Sequence, residues 1–161
     1  MTSAERLMRE LFERRLTVAV AESLTGGAVV SRLIDVPGAS AAVLGGIVAY
    51  NTELKHSLLG VDSAVLNVHG PVHPDVAAQM ASRVREVLAV GGQAADIGIS
   101  TTGVAGPNPQ HGHPPGTVFV GIAIGADVRV IALDLVGDRA SIRSQVVDSV
   151  IDAVLARVIE S

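Results

Sequence analysis

Short runs of aliphatic residues alternate with segments of helical periodicity along this chain. Five runs, at residues 16–21, 45–50, 96–101, 117–124 and 128–136, have the length and β-branched content of strands. Residues 125–127 join the last two runs as a hairpin. Because the runs are almost continuously apolar, we expect strands that are covered on both faces of their sheet.

The intervening segments have the spacing of helices. Helices are predicted at residues 3–14, 26–34 and 51–59, from Pro74 to the glycines at 91 and 92, and at 139–159. The fourth of these carries one apolar stripe, made of Val76, Met80, Val84, Val87 and Leu88. Residues 103–116 hold four glycines and four prolines, which predicts a loop.

Strands that alternate with helices predict an α/β fold. We expect one domain over residues 1–161, a three-layer α/β/α sandwich around a mostly parallel mixed sheet with a hairpin edge. Ligands of such sheets bind at the carboxyl ends of the strands. Here those ends carry the polar sequences ESLTGG, YNTELK and TTGVAGP.

Composition narrows the class of function. The formal charge is −4 and aromatic residues make up 2%, which argues against a nucleic-acid partner. The chain has no cysteine, so disulfides and thiolate metal sites are excluded. No apolar run reaches the ~20 residues that span a bilayer. We expect a cytoplasmic protein without a membrane partner, which binds a small molecule and forms a homo-oligomer.

Ser23 lies between a predicted strand and a predicted helix, and two roles are open to it. Ser23 or Thr25 could cap the helix through a side-chain oxygen. Alternatively, the Ser23 hydroxyl could act beside unpaired backbone N–H groups that bind an anion. The second role requires a partner that activates the hydroxyl.

Lys55 is a candidate for that partner. If Asn51 or Thr52 caps the next helix, Lys55 lies in its first turn, where the helix dipole and burial would both lower its pKa. A neutral amine can accept the proton of a serine hydroxyl. A solvated surface lysine is the alternative interpretation.

Two arginines fall on or beside the apolar stripe of the last helix. At about 100° per residue, Arg143 lies between Val150 and Val154, and Arg139 lies about 40° from Arg143. A guanidinium that faces the protein interior needs an anion. That anion could be an internal carboxylate, either Glu22 or Asp138, or a ligand phosphate, and Arg143 is the better placed arginine.

Two further features bear on a binding site. The loop from Thr101 to Pro107 allows close backbone approach to a ligand, although it matches no phosphate-loop motif. His69 and His73, and likewise His111 and His113, have spacings compatible with zinc. Prolines around the first pair and the lack of a suitably spaced carboxylate near the second argue against metal, and His73 is interpreted as a helix-start residue.

The ordered motifs AESLTGG, DVPGASAAVLGGIVAYNTELKHSLLGV, HGPV, ISTTGVAGP, PPGTVFVGIA and GDRASIR resemble the CinA C-terminal domain family. The resemblance covers nearly the whole chain. It implies an α/β/α fold and the activity of the family's enzymes, which hydrolyse nicotinamide mononucleotide to nicotinate mononucleotide and ammonia without a metal or cofactor.

The resemblance also implies roles for individual residues. The family's Ser/Lys pair and the aromatic residue near the lysine fall on Ser23, Lys55 and Tyr50. Its threonine-glycine loop and its two arginines fall on Thr102, Gly103, Gly106, Arg139 and Arg143. Leu24 replaces the family's usual cysteine, and the loop before Gly116 lacks a lysine that family members often have there.

These observations lead to a hypothesis. Lys55 deprotonates Ser23, which attacks the amide carbon, while N–H groups around Thr25, Gly26 and Gly27 hold the oxyanion. Tyr50 orients Lys55 or relays a proton. Arg143, together with Arg139, holds the ribose phosphate, assisted by the loop 102–106. A binding module that keeps the pocket but performs no catalysis is the alternative.

Overall fold

The computed structural model describes all 161 residues. Its strands are β1 (Val18–Glu22), β2 (Val43–Val48), β3 (Ile97–Gly103), β4 (Thr117–Ile124) and β5 (Asp127–Asp134). Its helices are α1 (Ser3–Arg14), α2 (Ala28–Ile34), α3 (Thr52–Ser57), α4 (Ser63–His69), α5 (Pro74–Val87) and α6 (Arg139–Glu160). None of these helices is long and apolar enough to cross a lipid bilayer.

The five strands form one sheet in the order β2-β1-β3-β4-β5. β1 pairs in parallel with both β2 and β3, whereas β4 runs antiparallel to β3 and to β5. Four strands therefore share one direction and β4 opposes them. The α/β fold with a mixed sheet and a hairpin edge is confirmed.

Helices cover both faces of the sheet. On one face, α1, α2 and α6 enclose a cluster of 25 buried apolar residues. On the other face, α5 and the segment around α3 and α4 enclose a cluster of 10. All five residues of the interior strand β1 are buried, which explains why its sequence, VAVAE, is nearly continuous in apolar side chains.

Glycines let α5 approach the sheet closely. A Cβ at Gly98 would lie 1.9 Å from the carbonyl oxygen of Ala81, and one at Gly121 would lie 2.3 Å from that of Ala77. Both carbonyls belong to α5. The helix backbone therefore rests directly on β3 and β4, and the loop that precedes α5 is fixed beside the end of β3.

The structure differs from the sequence-based expectations at several element boundaries and in one additional helix. α4 was not predicted; Asp62 caps it, and only Leu66 of its seven residues is buried. Val87, assigned to the apolar stripe of α5, is 46% exposed because it lies at the end of that helix. β2 begins and ends two residues earlier than expected, which leaves Tyr50 beyond the strand.

Candidate active site

A cavity of about 290 Å³ opens at the carboxyl ends of β1, β2 and β3, the edge of the sheet that the sequence predicts for a ligand. Its floor is polar and buried, and includes Ser23, Lys55 and Thr102. Its mouth is formed by exposed residues, among them Tyr50 and Arg139. No Asp or Glu lines the cavity.

Glu22, rather than Ser23 or Thr25, accepts hydrogen bonds from the backbone N–H groups at the start of α2. Its carboxylate accepts hydrogen bonds from the N–H groups of Val29 (2.9 Å) and Val30 (3.1 Å). The N-cap position itself is Gly27, which has no side-chain oxygen. The capping role considered for Ser23 and Thr25 is therefore wrong, and the Ser23 hydroxyl remains available for another partner.

That partner is Lys55. Its Nζ lies 2.9 Å from Ser23 Oγ, 2.7 Å from the carbonyl oxygen of Ala49 and 3.4 Å from the carbonyl oxygen of Tyr50. Lys55 is 1% exposed, so the alternative interpretation as a solvated surface lysine is wrong. The chain contains no other lysine.

The environment of Lys55 favours the neutral amine. No carboxylate forms a salt bridge with it, and burial lowers its pKa from 10.5 to about 8. A neutral amine has two N–H donors and one lone pair. Two carbonyls and one hydroxyl match that set, so the lone pair can receive the Ser23 proton.

The expected helix-dipole effect on Lys55 is not the cause of this shift. α3 has only six residues, and Lys55 is also in its last turn, where the dipole favours a cation. Burial against β1 and β2 lowers the pKa instead. The burial of the Lys55 side chain, rather than the direction of α3, makes Lys55 a candidate base.

Tyr50 contacts the site differently from the hypothesis. Its side chain is 61% exposed, and its hydroxyl accepts a hydrogen bond from Arg139 Nη2 at 3.1 Å. The part of Tyr50 that contacts Lys55 Nζ is its backbone carbonyl, at 3.4 Å. The backbone of Ala49 and Tyr50 orients the amine, while the phenol stands at the mouth of the cavity.

The turn after Ser23 has its own geometry. Gly26 (φ +59°) and Gly27 (φ +100°) adopt left-handed backbone conformations, which suit glycine. Thr25, Gly26 and Gly27 do not line the cavity, whereas Leu24 does. The Leu24 N–H has no protein acceptor, so Leu24 replaces residues 25–27 as the foremost candidate for binding an oxyanion.

The loop after β3 supplies another wall. Thr102 and Gly103 line the cavity, and the Thr102 hydroxyl donates to the carbonyl of Pro71 at 2.6 Å. Gly106 lies behind this wall, and its carbonyl accepts from Arg139 Nη1 at 2.6 Å. Thr102 and Gly103 can therefore contact a ligand, while Gly106 holds the arginine.

Arg139, and not Arg143, lines the cavity, although the sequence favours Arg143 as the ligand-binding arginine. Arg139 lines the cavity mouth and is fixed there by Gly106 and Tyr50. Arg143 does not line the cavity; its Nε donates to the Leu24 carbonyl at 2.8 Å. Neither Glu22 nor Asp138 pairs with it, so both anions proposed from within the chain are wrong.

Several cavity residues were not proposed for this site from the sequence: Asn51, Thr52, Pro71, Val72, Gln110 and His111. They lie on loops or at helix starts and share no spacing pattern. His111 was considered only as a metal ligand, and no group of three or more His, Asp or Glu side chains is placed to hold a metal. His73 starts α5, as predicted, with its Nδ1 accepting from the Asp75 N–H at 3.1 Å.

Comparison with known proteins agrees with this architecture. The family model described as CinA C-terminal domain matches residues 1–158. A CinA-like protein of Frankia casuarinae is 50% identical over 89% of this chain, and a putative competence-damage inducible protein of Geobacillus kaustophilus is 47% identical over 84%. The match covers 32% of each of these proteins, so the chain spans about a third of their length.

Solved structures show the same fold. A CinA superfamily protein from Klebsiella pneumoniae superposes with a TM-score of 0.92 at 26% identity, covering 99% of this chain and 97% of that one. One from Escherichia coli gives a TM-score of 0.88 at 27% identity, with coverages of 96% and 87%. Sequence and structure thus point to the same group of proteins.

Proposed function

The chain belongs to the CinA C-terminal domain family, and from this premise we propose that it is an amidohydrolase. Its proposed substrate is nicotinamide mononucleotide, which it converts to nicotinate mononucleotide and ammonia. The observation that supports this proposal most strongly is the 2.9 Å contact between Ser23 Oγ and the buried Nζ of Lys55. Serine is a weak nucleophile unless a base removes its proton, and the lysine is such a base in its neutral form.

The first half of the reaction uses both side chains. The lone pair of Lys55 takes the Ser23 proton as Oγ attacks the amide carbon, and a tetrahedral intermediate forms. The Leu24 N–H, free of protein acceptors, stabilises the negative oxygen. The protonated amine then gives its proton to the leaving nitrogen, so that ammonia departs and an ester with Ser23 remains.

The second half reverses these roles with water. Lys55 removes a proton from water, the resulting hydroxide attacks the ester carbon, and the lysine returns that proton to Ser23 Oγ as the product leaves. The product leaves as a carboxylic acid and gives its remaining carboxyl proton to solvent. Because Lys55 acts as base and then as acid in each half, its two protonation states must both be populated near the working pH. A pKa of about 8 meets that requirement, whereas the ordinary value of 10.5 does not.

The charge distribution of the cavity supports an anionic substrate. Arg139 stands at the mouth, the lining contains no carboxylate, and the whole chain has a charge of −4. A ribose phosphate at Arg139 would leave the pyridine ring and its carboxamide directed toward Ser23 on the floor. The Arg139 guanidinium is already oriented by Tyr50 and Gly106, which reduces the entropy lost on binding.

The decisive experiment measures ammonia release from nicotinamide mononucleotide by wild type and by Ser23→Ala. Removing a nucleophile of this kind lowers kcat by a factor on the order of 10⁴ or more. Ser144→Ala is a matched control, because Ser144 is exposed on α6 and forms no side-chain hydrogen bond. Full activity of Ser23→Ala would refute the Ser/Lys mechanism.

A binding module without catalysis is the alternative, since the same cavity could hold a nucleotide without turnover. Calorimetry with nicotinamide mononucleotide distinguishes the two functions. Saturable binding by wild type without ammonia release favours the binding module. The deeply buried amine favours the enzyme, because a phosphate-binding pocket needs no neutral lysine beside a serine.

A further inference from the structure

Arg143 lies behind the turn that carries the nucleophile, on the side away from the cavity. Its Nε donates to the carbonyl of Leu24 at 2.8 Å, and its Nη2 donates to the carbonyl of Thr25 at 3.3 Å. These two carbonyls directly follow Ser23 in the chain, and Arg143 is 119 residues from Leu24. One half-buried side chain of α6 therefore holds two consecutive peptide groups of the turn.

Other hydrogen bonds hold most of this turn, including one between the hydroxyls of Thr25 and Thr101 at 2.8 Å, but none of them reaches the Leu24 carbonyl. The Gly26 N–H donates to the Ser23 carbonyl, and the Ala28 N–H donates to the Thr25 carbonyl. The Leu24 carbonyl has no donor among the loop backbone bonds, so Arg143 supplies its hydrogen bond. Two glycines at 26 and 27 make the segment flexible by sequence.

Gly26 is adapted to the arginine. A Cβ at this position would lie 3.3 Å from Arg143 Nη2, and φ is +59°. A larger residue would crowd the guanidinium and strain the backbone. The glycine and the arginine therefore form one local arrangement.

Holding a carbonyl also orients an N–H group. In a trans peptide the C=O and the next N–H point in opposite directions, so the Leu24 carbonyl turned toward Arg143 directs the Thr25 N–H away from it. Neither the Leu24 nor the Thr25 N–H has a protein acceptor. A fixed turn keeps these donors, and Ser23 Oγ with them, in a single orientation relative to Lys55.

We propose that Arg143 is a positioning residue that fixes the nucleophile turn, and that it is not a ligand for the substrate phosphate. This inference rests on the proposed function, because it assigns the arginine a part in the Ser23 reaction. It predicts that loss of Arg143 lowers the rate of the chemical step and leaves phosphate recognition intact. Loss of Arg139 should instead weaken phosphate recognition and leave the rate of the chemical step intact.

The test compares Arg143→Ala with Arg139→Ala on two substrates, nicotinamide mononucleotide and nicotinamide riboside, which lacks the phosphate. For Arg143→Ala we expect kcat to fall about 100-fold on both substrates, with KM changed by less than about threefold, because a misplaced turn affects both alike. For Arg139→Ala we expect a raised KM for the mononucleotide only. Added guanidinium should restore part of the Arg143→Ala rate.

The opposite pattern overturns the proposal. If Arg143→Ala raises KM for the mononucleotide, leaves kcat unchanged and has no effect on the riboside, Arg143 is a phosphate ligand. Should Arg143→Ala fail to fold by circular dichroism, Arg143→Lys replaces it. A lysine lacks the planar guanidinium that spaces Nε and Nη2 for these two carbonyls, so a fall in kcat on both substrates supports positioning, and full activity contradicts it.

A failure of the proposed function has a separate signature. If wild type hydrolyses neither compound, the amidase activity is wrong, and amide hydrogen exchange then tests the turn directly. Faster exchange at residues 24–27 in Arg143→Ala, with unchanged exchange in β3, supports positioning by Arg143. Unchanged exchange at residues 24–27 overturns it.

Discussion

The buried amine of Lys55 destabilises the folded protein, and a Lys55→Met variant removes that cost. The side chain is 1% exposed, and burial lowers its pKa from 10.5 to about 8. Each pKa unit corresponds to about 1.4 kcal/mol, so the charged amine reduces the free energy of unfolding at pH 7 by about 3 kcal/mol relative to a neutral one.

The pH window follows from the direction of the shift. Below pH 8 Lys55 is protonated in both the folded and the unfolded chain, so burial of the charged amine lowers the free energy of unfolding by its full amount. Between pH 8 and 10.5 the unfolded chain still binds the proton that the folded chain has released, so stability rises with pH. Wild type should therefore gain about 3 kcal/mol across this window from Lys55 alone.

Methionine has a similar length and no charge, but it leaves the Ala49 carbonyl without its donor, which costs about 1 kcal/mol. The net expectation at pH 7 is a variant that is about 2 kcal/mol more stable than wild type, with a Tm that is about 4–8 °C higher. The same variant should release no ammonia. Its stability should lack the rise above pH 8.

Urea unfolding of both proteins at intervals from pH 7 to pH 10 measures this difference. Because the chain has a single lysine, lysine labelled with ¹³C at Cε gives one resonance whose titration reports the pKa of Lys55 directly. Ser23→Ala is the control, since it removes the hydroxyl and keeps the buried amine. Stability profiles of wild type and Lys55→Met that run parallel over the whole range would refute the reasoning.

Three further changes have defined outcomes. The kcat/KM of wild type should rise about tenfold per pH unit up to about pH 8 and level off above it, because the neutral amine is the base; a profile that falls over pH 6–8 would contradict this. Glu22→Gln should lower the free energy of unfolding in urea by about 2 kcal/mol, because the single oxygen of the amide replaces two carboxylate oxygens that each accept from one N–H group of α2. An unchanged midpoint of urea unfolding would show that this capping is unimportant. Gly98→Ala places a Cβ 1.9 Å from a carbonyl oxygen of α5, so we expect the free energy of unfolding, measured in urea, to fall by more than about 3 kcal/mol. A variant as stable as wild type would mean that α5 can move freely off the sheet.

Much of the fold and the centre of the site could be predicted from the sequence. The aliphatic runs identified all five strands, and the carboxyl ends of parallel strands meet at one edge of a sheet. That rule alone places Ser23 near the segment that carries Lys55, although 32 residues separate them. The family assignment is also confirmed by the comparison.

The remaining details depend on contacts that no local pattern encodes. Capping preferences favour Ser23 or Thr25 at the start of α2, yet Glu22 reaches the same N–H groups from the end of β1. The helical periodicity of α6 indicates that Arg143 faces inward. It does not indicate that the hydrogen-bond partner of Arg143 is a backbone carbonyl, that of Leu24. Loop residues such as His111 reach the cavity through long-range packing, which is why they were missed for this role.

The alternation of side chains along β1 explains how neighbouring residues place a charged carboxylate at the start of α2 and a hydroxyl beside the amine of Lys55. Successive residues of a strand point to opposite faces, so Glu22 and Ser23 diverge where β1 ends. The carboxylate is directed to the start of α2, where two N–H groups stabilise its charge, and the hydroxyl is directed to Lys55. If the carboxylate faced the cavity instead, it would pair with Lys55, raise the pKa of the amine and remove the base. The alternation along β1 therefore keeps the Glu22 carboxylate away from the only lysine of the chain, and this separation favours the neutral amine.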